Sequence, residues 1–473
     1  MATWQAGAAE VVVTPPVGTQ LEGYGGRTAG STGIHDELFA HALVLDDGTT
    51  RVGIVSVDIL GTDRHLVKRI RDGVSERTQI SPDNLFVHAT HTHGGPRGLI
   101  AARPSADATL TETAARQIIG AVAVAESRLQ PARLTLGTGQ VAGVSQNRRH
   151  PDGPVDPTLH AIRVEGEDGT VIAALIRFTC HPTVMNFDNL QITADYPGAV
   201  NRVVKGVFGP STVVLFANGA CGDINPARHA AVFSEVNRIG TTVGAEAVRV
   251  LTGLESVGRH IAADNLLWSE RPAVAYSPGR ELEPGYLRSR REQVALPLRE
   301  SADDEAAVQA RVTAGREKLA ALGLTEDQQL RARRSALAPG EVDPAILAER
   351  RTIVSRLNYD AASLAAVRRL EQLRQSATDG RWEVEIQAIR LAPGVAIVGV
   401  PGELMVELGD SIRDGSELAE CLVVGYANDS VGYIVTAEAV DQGGYESGMT
   451  VFAPDGGSQL ASAAAALARE VGR

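Results

Sequence analysis

Imidazole and carboxylate side chains follow several strongly apolar stretches of this sequence, where they could bind a divalent metal ion. His91 and His93 lie in ATHTHGGP, His181 follows VIAALIRFTC, and Glu403 follows VAIVGVPG. Histidine nitrogen and carboxylate oxygen atoms are the ligands that zinc and related metals use in proteins. The residue types and their setting therefore predict a metalloenzyme.

The apolar runs beside these residues are short and rich in Val, Ile and Leu, which is typical of strands buried on both faces. Ligands bind beyond the carboxyl ends of strands in sheets that helices cover. The polar groups at the ends of the runs, which include Asp223 and Tyr433, are therefore expected to converge on one site. The five runs are FVHATHTHGGP (86–96), VIAALIRFTCHPTV (171–184), STVVLFANGACGDINP (211–226), VAIVGVPGELM (395–405) and CLVVGYANDSVGYIVT (421–436).

The spacing of His91 and His93 is informative, because residues i and i+2 of an extended backbone face the same side. Both imidazoles are therefore predicted to face one site. The Gly-Gly-Pro that follows, at 94–96, ends the strand and keeps the entrance to the site open.

Three polar residues in two other segments could also contact a substrate or a metal ion. Arg148 precedes HPDGPVDP, and its guanidinium could anchor a carboxylate or stabilise an oxyanion. In NGACGDINP, Asn225 could donate to a substrate carbonyl, and Asp223 could bind a second cation or orient a histidine. An ordinary Asx turn explains the composition of that segment equally well.

The order of apolar and amphipathic segments predicts an α/β fold, with a mixed β-sheet covered by helices. Residues 282–378 are rich in Arg, Glu, Ala and Leu and predict a helical insertion. Its helices are expected to be antiparallel and joined near Ala338-Pro339-Gly340, either as a cap over the site or as a surface insertion. Because the candidate residues are spread from 91 to 445, residues 1–473 are expected to form a single catalytic domain.

Composition excludes several classes of partner. The 473 residues carry a formal net charge of −12 without a basic stripe, so a nucleic acid partner is not expected. No run of 18 apolar residues predicts a membrane-spanning helix, and the first residues do not resemble a secretion signal. The three cysteines are expected to be buried free thiols in a cytoplasmic protein, with a nucleophilic or redox role open for Cys180 and Cys221. The composition leaves the oligomeric state open.

Taken together, the motifs resemble the N-terminal catalytic domain of the neutral (non-lysosomal) ceramidase family over nearly the whole chain. The most specific segments are ATHTHGGP and YIVTAEAVDQGGYE. The supporting segments are AEVVVTPPVG, GIHDELFAHALVL, SQNRR, FTCHPT, ANGACGDINP and VPGEL. The resemblance implies a ceramidase-like catalytic domain.

The resemblance also implies a set of site residues. By similarity to the family, a zinc ion would be bound by four residues: His91, His181, Glu403 and Tyr433. His93 would be the second histidine of the motif, Arg148 an arginine near the substrate, and Tyr445 a second active-site tyrosine. Tyr445 follows Tyr433 by twelve residues, which is similar to the spacing in the family.

Three departures from the family pattern indicate a substrate other than ceramide. Asn225 occupies the position of a family serine that is important for amide hydrolysis, and asparagine cannot act as that nucleophile. Ceramidases are secreted or face a membrane, whereas no secretion signal is recognised here. An immunoglobulin-like domain at the C-terminus, which the family carries, is not expected within residues 1–473.

The expected function is zinc-dependent hydrolysis of an amide (C–N) or related acyl bond in a small soluble substrate by metal-activated water. His93 would be the general base or acid, and Tyr445 and Arg148 would stabilise the oxyanion, with Asn225 as an additional donor. The same metal centre would also suit an esterase or lactonase, or a non-hydrolytic zinc lyase or isomerase. Because of Asn225, a non-catalytic binding protein is a further hypothesis.

Overall fold

Two β-sheets form the centre of the fold in the computed structural model, which describes residues 3–25, 27, 29–100, 109–254, 279–300, 304–325, 328–329, 332 and 340–472. The strands are β1 (Trp4–Val12), β2 (Gly33–Ile34), β3 (Phe39–Asp46), β4 (Arg51–Val57), β5 (Leu85–Ala89), β6 (Gln130–Gln140), β7 (Ser145–Asn147), β8 (Thr158–Gly166), β9 (Val171–Phe178), β10 (Gln191–Ile192), β11 (Val213–Asn218), β12 (Ile224–Pro226), β13 (Arg280–Glu281), β14 (Arg288–Pro297), β15 (Arg381–Ala392), β16 (Val395–Gly399), β17 (Glu403–Leu404), β18 (Glu420–Val424) and β19 (Tyr433–Ile434). The helices are α1 (Arg64–Ser75), α2 (Thr109–Ser127), α3 (Asp195–Phe208), α4 (Phe233–Gly253), α5 (Glu305–Ala321), α6 (Pro344–Ser376), α7 (Val406–Ser416), α8 (Ala437–Gln442), α9 (Tyr445–Met449) and α10 (Gly456–Gly472).

The larger sheet has the strand order β11-β9-β8-β6-β1-β3-β4-β5, with β13 paired to β6, and the smaller sheet has the order β14-β15-β16-β18. Helix α2 packs on β1 and β3 and α1 packs against α2, whereas α3 and α4 pack beside β11 and β8, and α7 and α10 pack on the smaller sheet. Both sheets contain parallel and antiparallel pairs. This arrangement confirms the predicted α/β fold with a mixed sheet covered by helices.

Three strand pairs in the described parts of these sheets are parallel: β4 with β5, β9 with β11, and β16 with β18. Their residues are almost all buried, as the continuous apolar runs of the sequence indicate. The segments that follow β5, β9, β11, β16 and β18 carry most of the candidate residues, and Arg148 follows β7. Parallel pairing therefore brings residues that are far apart in sequence to the same ends of the sheets.

The segment 282–378 differs from the predicted helical insertion at its beginning. Residues Arg288–Pro297 form β14, which pairs with β15 along its whole length. Most β14 side chains are exposed or half-buried, so their charged composition is compatible with either structure, and backbone pairing with β15 determines the strand. Helices α5 and α6 occur later in the segment and pack against each other. Ala338 and Pro339, near the predicted joint, lie outside the described residues.

No helix in the described part of the chain combines the length and the hydrophobicity that a membrane crossing requires.

A buried ionic cluster joins the two sheets. Asp156 Oδ2 accepts from Arg177 Nη1 on β9 at 2.6 Å and from Arg413 Nη1 on α7 at 2.7 Å. Arg177 Nε also donates to the carbonyl of Val423 on β18 at 3.0 Å. Burial alone would raise the pKa of the Asp156 carboxyl, but the two guanidinium groups outweigh that effect and hold the pKa well below its ordinary value.

Asp156→Asn is expected to lower the free energy of unfolding by about 3–5 kcal/mol, because it leaves the buried Arg177 charge without its anionic partner. The contribution of a carboxyl with a lowered pKa is fully present above the ordinary pKa of about 3.9 and is lost as the pH falls below it. Urea unfolding of both proteins at pH 7 and at lower pH measures the loss. Asp410→Asn is the matched control, because Asp410 pairs with the same Arg413 but is 41% exposed, so its loss should cost no more than about 1 kcal/mol. Equal effects of the two substitutions would contradict the assignment.

Candidate metal centre

His91 and His181 form the centre of the site. Their Nε2 atoms lie 3.0 Å apart, and His93 Nε2 lies 3.3 Å from His91 Nε2. Each of the three histidines offers a nitrogen within 4.8 Å of the other two. His91 follows β5 and His181 follows β9, so the convergence of strand ends brings these residues together as the sequence indicates.

The outer nitrogen atoms of His91 and His181 are fixed by backbone carbonyls. His91 Nδ1 lies 2.7 Å from the carbonyl of Leu60, and His181 Nδ1 lies 2.8 Å from the carbonyl of Cys221. Because a carbonyl only accepts, each Nδ1 must carry the proton, and the two Nε2 lone pairs face each other when the rings are neutral. Metal-binding histidines are oriented in this way.

Glu403 places a carboxylate beside His91 and His181. Its Oε2 lies 3.4 Å from the Nε2 atoms of both His91 and His181, and no donor among the described residues is aligned to hydrogen-bond to it. Burial would raise the pKa of this carboxyl, whereas positive charge on the two imidazoles would hold it well below its ordinary value. Two facing lone pairs beside a half-buried carboxylate, whose Oε2 is itself inaccessible to solvent, fit a divalent metal ion.

Tyr433 reaches the site through a short parallel pair. Strand β17 pairs with β19 so that Glu403 is opposite Tyr433, which places the two residues side by side. Tyr433 is buried, and burial raises the pKa of its phenol well above the ordinary value, while the nearby Arg148 acts in the opposite direction. Its hydroxyl accepts from Arg148 Nη2 at 3.0 Å.

The backbone of His91 differs from the expected extended conformation, because its φ is +70°. Both imidazoles reach the site, but through a left-handed turn after β5 and not through the i, i+2 geometry of a strand. Gly23 makes room for His93, since a Cβ at Gly23 would lie 2.4 Å from the His93 ring, and the φ of Gly23 is +99°. Tyr24 follows and packs its ring 4.7 Å from that of His93.

Burial keeps His93 and His181 neutral near pH 7. It lowers the pKa of His181 to about 4 and, together with the neighbouring His91 and His181, lowers the pKa of His93 well below its ordinary value. A neutral imidazole can bind a metal or accept a proton, so both roles are compatible with the electrostatics of the site.

Arg148 is held by neighbouring groups at every guanidinium nitrogen. Nε donates to Glu446 Oε1 at 2.6 Å, and Nη1 donates to Asn225 Oδ1 at 3.3 Å. Nη2 donates to the carbonyl of Gly222 at 2.6 Å and to the Tyr433 hydroxyl. Arg148 therefore positions Tyr433 and Asn225 in this structure, a task that the sequence does not reveal.

Asn225 and Asp223 make different contacts near this arginine. Because arginine only donates, the Asn225 atom facing Arg148 is the oxygen, and the amide Nδ2 is the end that can donate elsewhere. Asp223 Oδ1 accepts from the backbone of Val406 at 2.9 Å, and Oδ2 accepts from Asn147 at 2.8 Å. Asp223 thus connects β7 with the start of α7 and is bonded to none of the three histidines of the cluster.

Tyr445 lies beside Tyr433 and Arg148 and is partly exposed. Its ring centroid is 5.6 Å from that of Tyr433 and 5.5 Å from the Arg148 guanidinium carbon, and it is 36% exposed. The eight predicted site residues thus lie in one connected region: His91, His93, Arg148, His181, Asn225, Glu403, Tyr433 and Tyr445. Their individual roles stay predictions.

Sequence reasoning missed two residues that support the candidate metal ligands. Tyr426 stacks on His91 with ring centroids 3.9 Å apart and an angle of 17° between the planes. Its hydroxyl lies 3.0 Å from Cys221 Sγ, and burial raises the pKa of that thiol to about 12. Cys221 is therefore a buried free thiol, as expected, and not an activated nucleophile. The only signal for Tyr426 is its position after the β18 run.

Glu446 is the other missed residue, and it binds two arginines. Its Oε1 accepts from Arg148, and its Oε2 accepts from Arg149 Nη1 at 2.7 Å. The carboxyl is buried, yet the two cations keep its pKa below the ordinary value. Glu446 therefore connects α9, which begins at Tyr445, to the segment after β7 through two salt bridges.

Comparison with known proteins finds one matching protein family and several relatives. A model of the neutral/alkaline non-lysosomal ceramidase N-terminal domain matches residues 4–239. Neutral ceramidase of Drosophila pseudoobscura pseudoobscura is 26% identical over 257 residues, which is 48% of this chain and 36% of that protein. Neutral ceramidase of Mycobacterium tuberculosis is 24% identical over 488 residues, which is 91% of this chain and 71% of that protein. The match thus spans little more than a third of the length of the first of these relatives.

The fold has a counterpart among solved structures. Neutral ceramidase from Pseudomonas aeruginosa superposes with a TM-score of 0.70 over 100% of this chain and 75% of that chain, at 19% sequence identity. At this identity the likeness concerns the fold.

Glu446→Gln is expected to lower the free energy of unfolding by about 3–5 kcal/mol, because Arg148 and Arg149 lose the only carboxylate that both of them contact among the described residues. Urea unfolding at pH 7 measures the change. Glu438→Gln on the preceding α8 is the matched control, because Glu438 is exposed and contacts only Gln442 among the hydrogen bonds described. Its effect should stay within roughly 0.5 kcal/mol. A loss of similar size in both variants would show that Glu446 does not hold the arginines.

Proposed function

Because this chain belongs to the neutral/alkaline non-lysosomal ceramidase family, we propose that it is a metal-dependent hydrolase that cleaves an amide or related acyl bond in a small soluble substrate. The observation that carries the proposal is the pair of Nε2 atoms of His91 and His181, 3.0 Å apart beside Glu403. Their outer nitrogens already donate to carbonyls, so the inner lone pairs are available to one ion.

The proposed metal is zinc, held by His91, His181, Glu403 and Tyr433. The donor set of imidazole, carboxylate and phenol oxygen suits it. When bound, zinc would polarise the scissile carbonyl and make a water molecule acidic near neutral pH.

His93 is proposed to move the proton. Its imidazole is neutral because of burial, and its Nε2 lies 3.3 Å from that of His91. A neutral imidazole can accept a proton during attack and return it to the leaving group, which an amine requires more than an alcohol does. The neighbouring Gly23 and Tyr24 fix the plane of the ring.

Tyr445 and Asn225 are proposed to donate hydrogen bonds to the charge that develops on the substrate oxygen. Tyr445 is partly exposed beside Tyr433, and the Nδ2 end of Asn225 is turned away from Arg148. Arg148 acts by holding Asn225 and Tyr433 in place and contributes its positive charge to the site.

The proposed substrate is not ceramide, because Asn225 in place of the family serine gives the site a different group to contact the substrate, while the nucleophile would be metal-activated water. Ceramide is the second candidate, and the names of the relatives favour it: each curated relative described above is a neutral ceramidase. N-acetyl and N-palmitoyl sphingosine beside short N-acyl amines would separate the two candidates.

His91→Ala and Glu403→Ala are expected to lose the metal, whereas His93→Ala should keep it and lose activity. Plasma mass spectrometry of proteins purified without a metal-chelating tag measures the content, and the wild type should hold about one zinc ion per chain. His88→Ala is the matched control, since His88 is a buried histidine outside the cluster. Metal loss in His93→Ala would instead make His93 a ligand, and a wild type that stays metal-free in added zinc would remove the proposal.

Tyr445→Phe is expected to lower kcat on an N-acyl substrate by roughly 10²–10³-fold with a much smaller change in KM, because one donor to the oxyanion is lost.

The matched O-acyl ester should be less sensitive to His93→Ala than the amide is, since its leaving group hardly needs a proton. Steady-state kinetics on the substrate pair, with solvent oxygen-18 incorporation into the acid product, measure both effects. An unchanged kcat would remove Tyr445 from the mechanism, and a product without oxygen-18 would indicate a lyase or isomerase.

A further inference from the structure

The loop between β18 and β19 contains two residues other than glycine with a left-handed backbone. The φ of Tyr426 is +56° and that of Asn428 is +63°. Asparagine adopts this conformation more readily than most residues do, whereas a bulky tyrosine adopts it only where the surrounding structure holds it. The conformation of Tyr426 is therefore imposed by its contacts, and those contacts lead to the metal centre.

The backbone of Tyr426 joins the segments that carry two of the proposed metal ligands. Its N–H donates to the carbonyl of Gly402 at 3.2 Å, and Gly402 directly precedes Glu403. Its carbonyl accepts from the N–H of Ala89 at 3.2 Å, and Ala89 lies two residues before His91. The left-handed turn therefore fixes the end of β5 relative to the start of β17.

The side chain of Tyr426 connects His91 to a third ligand segment. Its ring stacks on the His91 imidazole with centroids 3.9 Å apart and 17° between the planes. Its hydroxyl lies 3.0 Å from Cys221 Sγ, and the Cys221 carbonyl accepts from His181 Nδ1 at 2.8 Å. Only 3% of Tyr426 is exposed, so water does not compete for these contacts. One residue thus contacts the segments that place His91, His181 and Glu403.

Asn428 anchors the same turn from outside the site. Its backbone N–H donates to the carbonyl of Val87 at 2.8 Å, and its Oδ1 accepts from the N–H of Val87 at 3.0 Å. Its Nδ2 donates to Gln387 Oε1 at 2.7 Å. Val87 belongs to β5 of the larger sheet and Gln387 to β15 of the smaller sheet, so both sheets hold the turn that presents Tyr426.

The stacked ring restricts His91 in a way that its hydrogen bond cannot. The bond from Nδ1 to the carbonyl of Leu60 fixes one atom of the imidazole, and the ring could still tilt about that atom. Contact with the face of Tyr426 fixes the plane of the imidazole. Because the Nε2 lone pair lies in that plane, the contact also sets the direction in which His91 can bind an ion.

We propose that Tyr426 is the positioning residue that sets the placement of His91, His181 and Glu403 relative to one another, and thereby the affinity and geometry of metal binding. This inference rests on the proposed function, because it takes these three residues as metal ligands. Removing a group that orients a metal ligand typically lowers the metal affinity by roughly 10–100-fold. Tyr426 acts in this way without itself binding the ion.

Zinc binding to the metal-free full chain tests the inference without turnover. Competition with a chromophoric chelator gives the zinc affinity of each protein. Tyr426→Leu removes both the stacked ring and the hydroxyl, and it should weaken zinc binding by roughly 10–100-fold. Tyr426→Phe keeps the ring on His91 and should retain most of the wild-type affinity.

The absorption spectrum of bound Co²⁺ provides a second measurement, because its visible bands depend on the number and geometry of the ligands. Tyr426→Leu should shift these bands, and Tyr426→Phe should leave them close to those of the wild type. A purely structural role of Tyr426 would lower the stability of the chain without moving the bands of the cobalt that it binds.

Trp4→Leu is the matched control, because it also removes a buried aromatic ring with a hydrogen bond. Trp4 is 2% exposed, belongs to a different apolar cluster from Tyr426 and donates from Nε1 to the carbonyl of Leu282 at 2.5 Å. Urea unfolding of the metal-free chain should show a loss of stability in this variant, with zinc affinity and cobalt spectrum unchanged. If Tyr426→Leu does not fold, Tyr426→Met keeps more of the buried volume without the ring and provides the same comparison.

The outcomes separate the inference from the proposed function. A wild-type zinc affinity and cobalt spectrum in Tyr426→Leu would overturn the role of Tyr426 and leave the metal centre intact. Equal losses of affinity in Tyr426→Leu and Trp4→Leu would also overturn it, since general destabilisation would then be the cause. A wild type that binds neither zinc nor cobalt would overturn the metal centre and the inference with it. Weaker binding and shifted bands in Tyr426→Leu, without either change in Tyr426→Phe and Trp4→Leu, would support both.

Discussion

The organisation of the site depends on one electrostatic constraint: two imidazole nitrogens, both hydrogen-bond acceptors, face each other in a buried space. His91 and His181 are forced into this arrangement because their outer nitrogens donate to backbone carbonyls. Such a contact is repulsive without a cation between the atoms, so the fold must hold it in place. The left-handed backbone of His91 and the ring of Tyr426 stacked on it provide that support.

Two arginines, Arg148 and Arg177, each form hydrogen bonds to several secondary-structure elements. Arg148 connects β7, β12 and α9 through its hydrogen bonds, and Arg177 connects the two sheets. A guanidinium with several fixed partners costs little further reorganisation when charge develops nearby. The same groups that hold the loops in register therefore also set the electrostatic field in which a substrate would react.

Much of this arrangement could be predicted from the sequence. The apolar runs identified the buried strands, and convergence at strand ends brought His91, His181 and Glu403 together. Local conformation could not be predicted in the same way. The turn at His91 depends on contacts with Ile59 and Leu60, which are remote from it in sequence, and β14 depends on pairing with a strand almost a hundred residues later. No sequence pattern identifies Glu446, because its role is to bind two arginines that lie about three hundred residues earlier in the chain.

The proposed metal ligands come from segments after β5 and β9 and from the β17–β19 pair, so they are assembled only when both sheets are packed together. An ion held by such a set binds the folded chain and not the unfolded one, and its binding free energy adds to the stability of the fold. A chelator that removes the ion would then lower the free energy of unfolding of this protein. The abundance of the folded chain in a cell would follow the supply of the ion, since the metal-free chain would unfold more often and be degraded more readily.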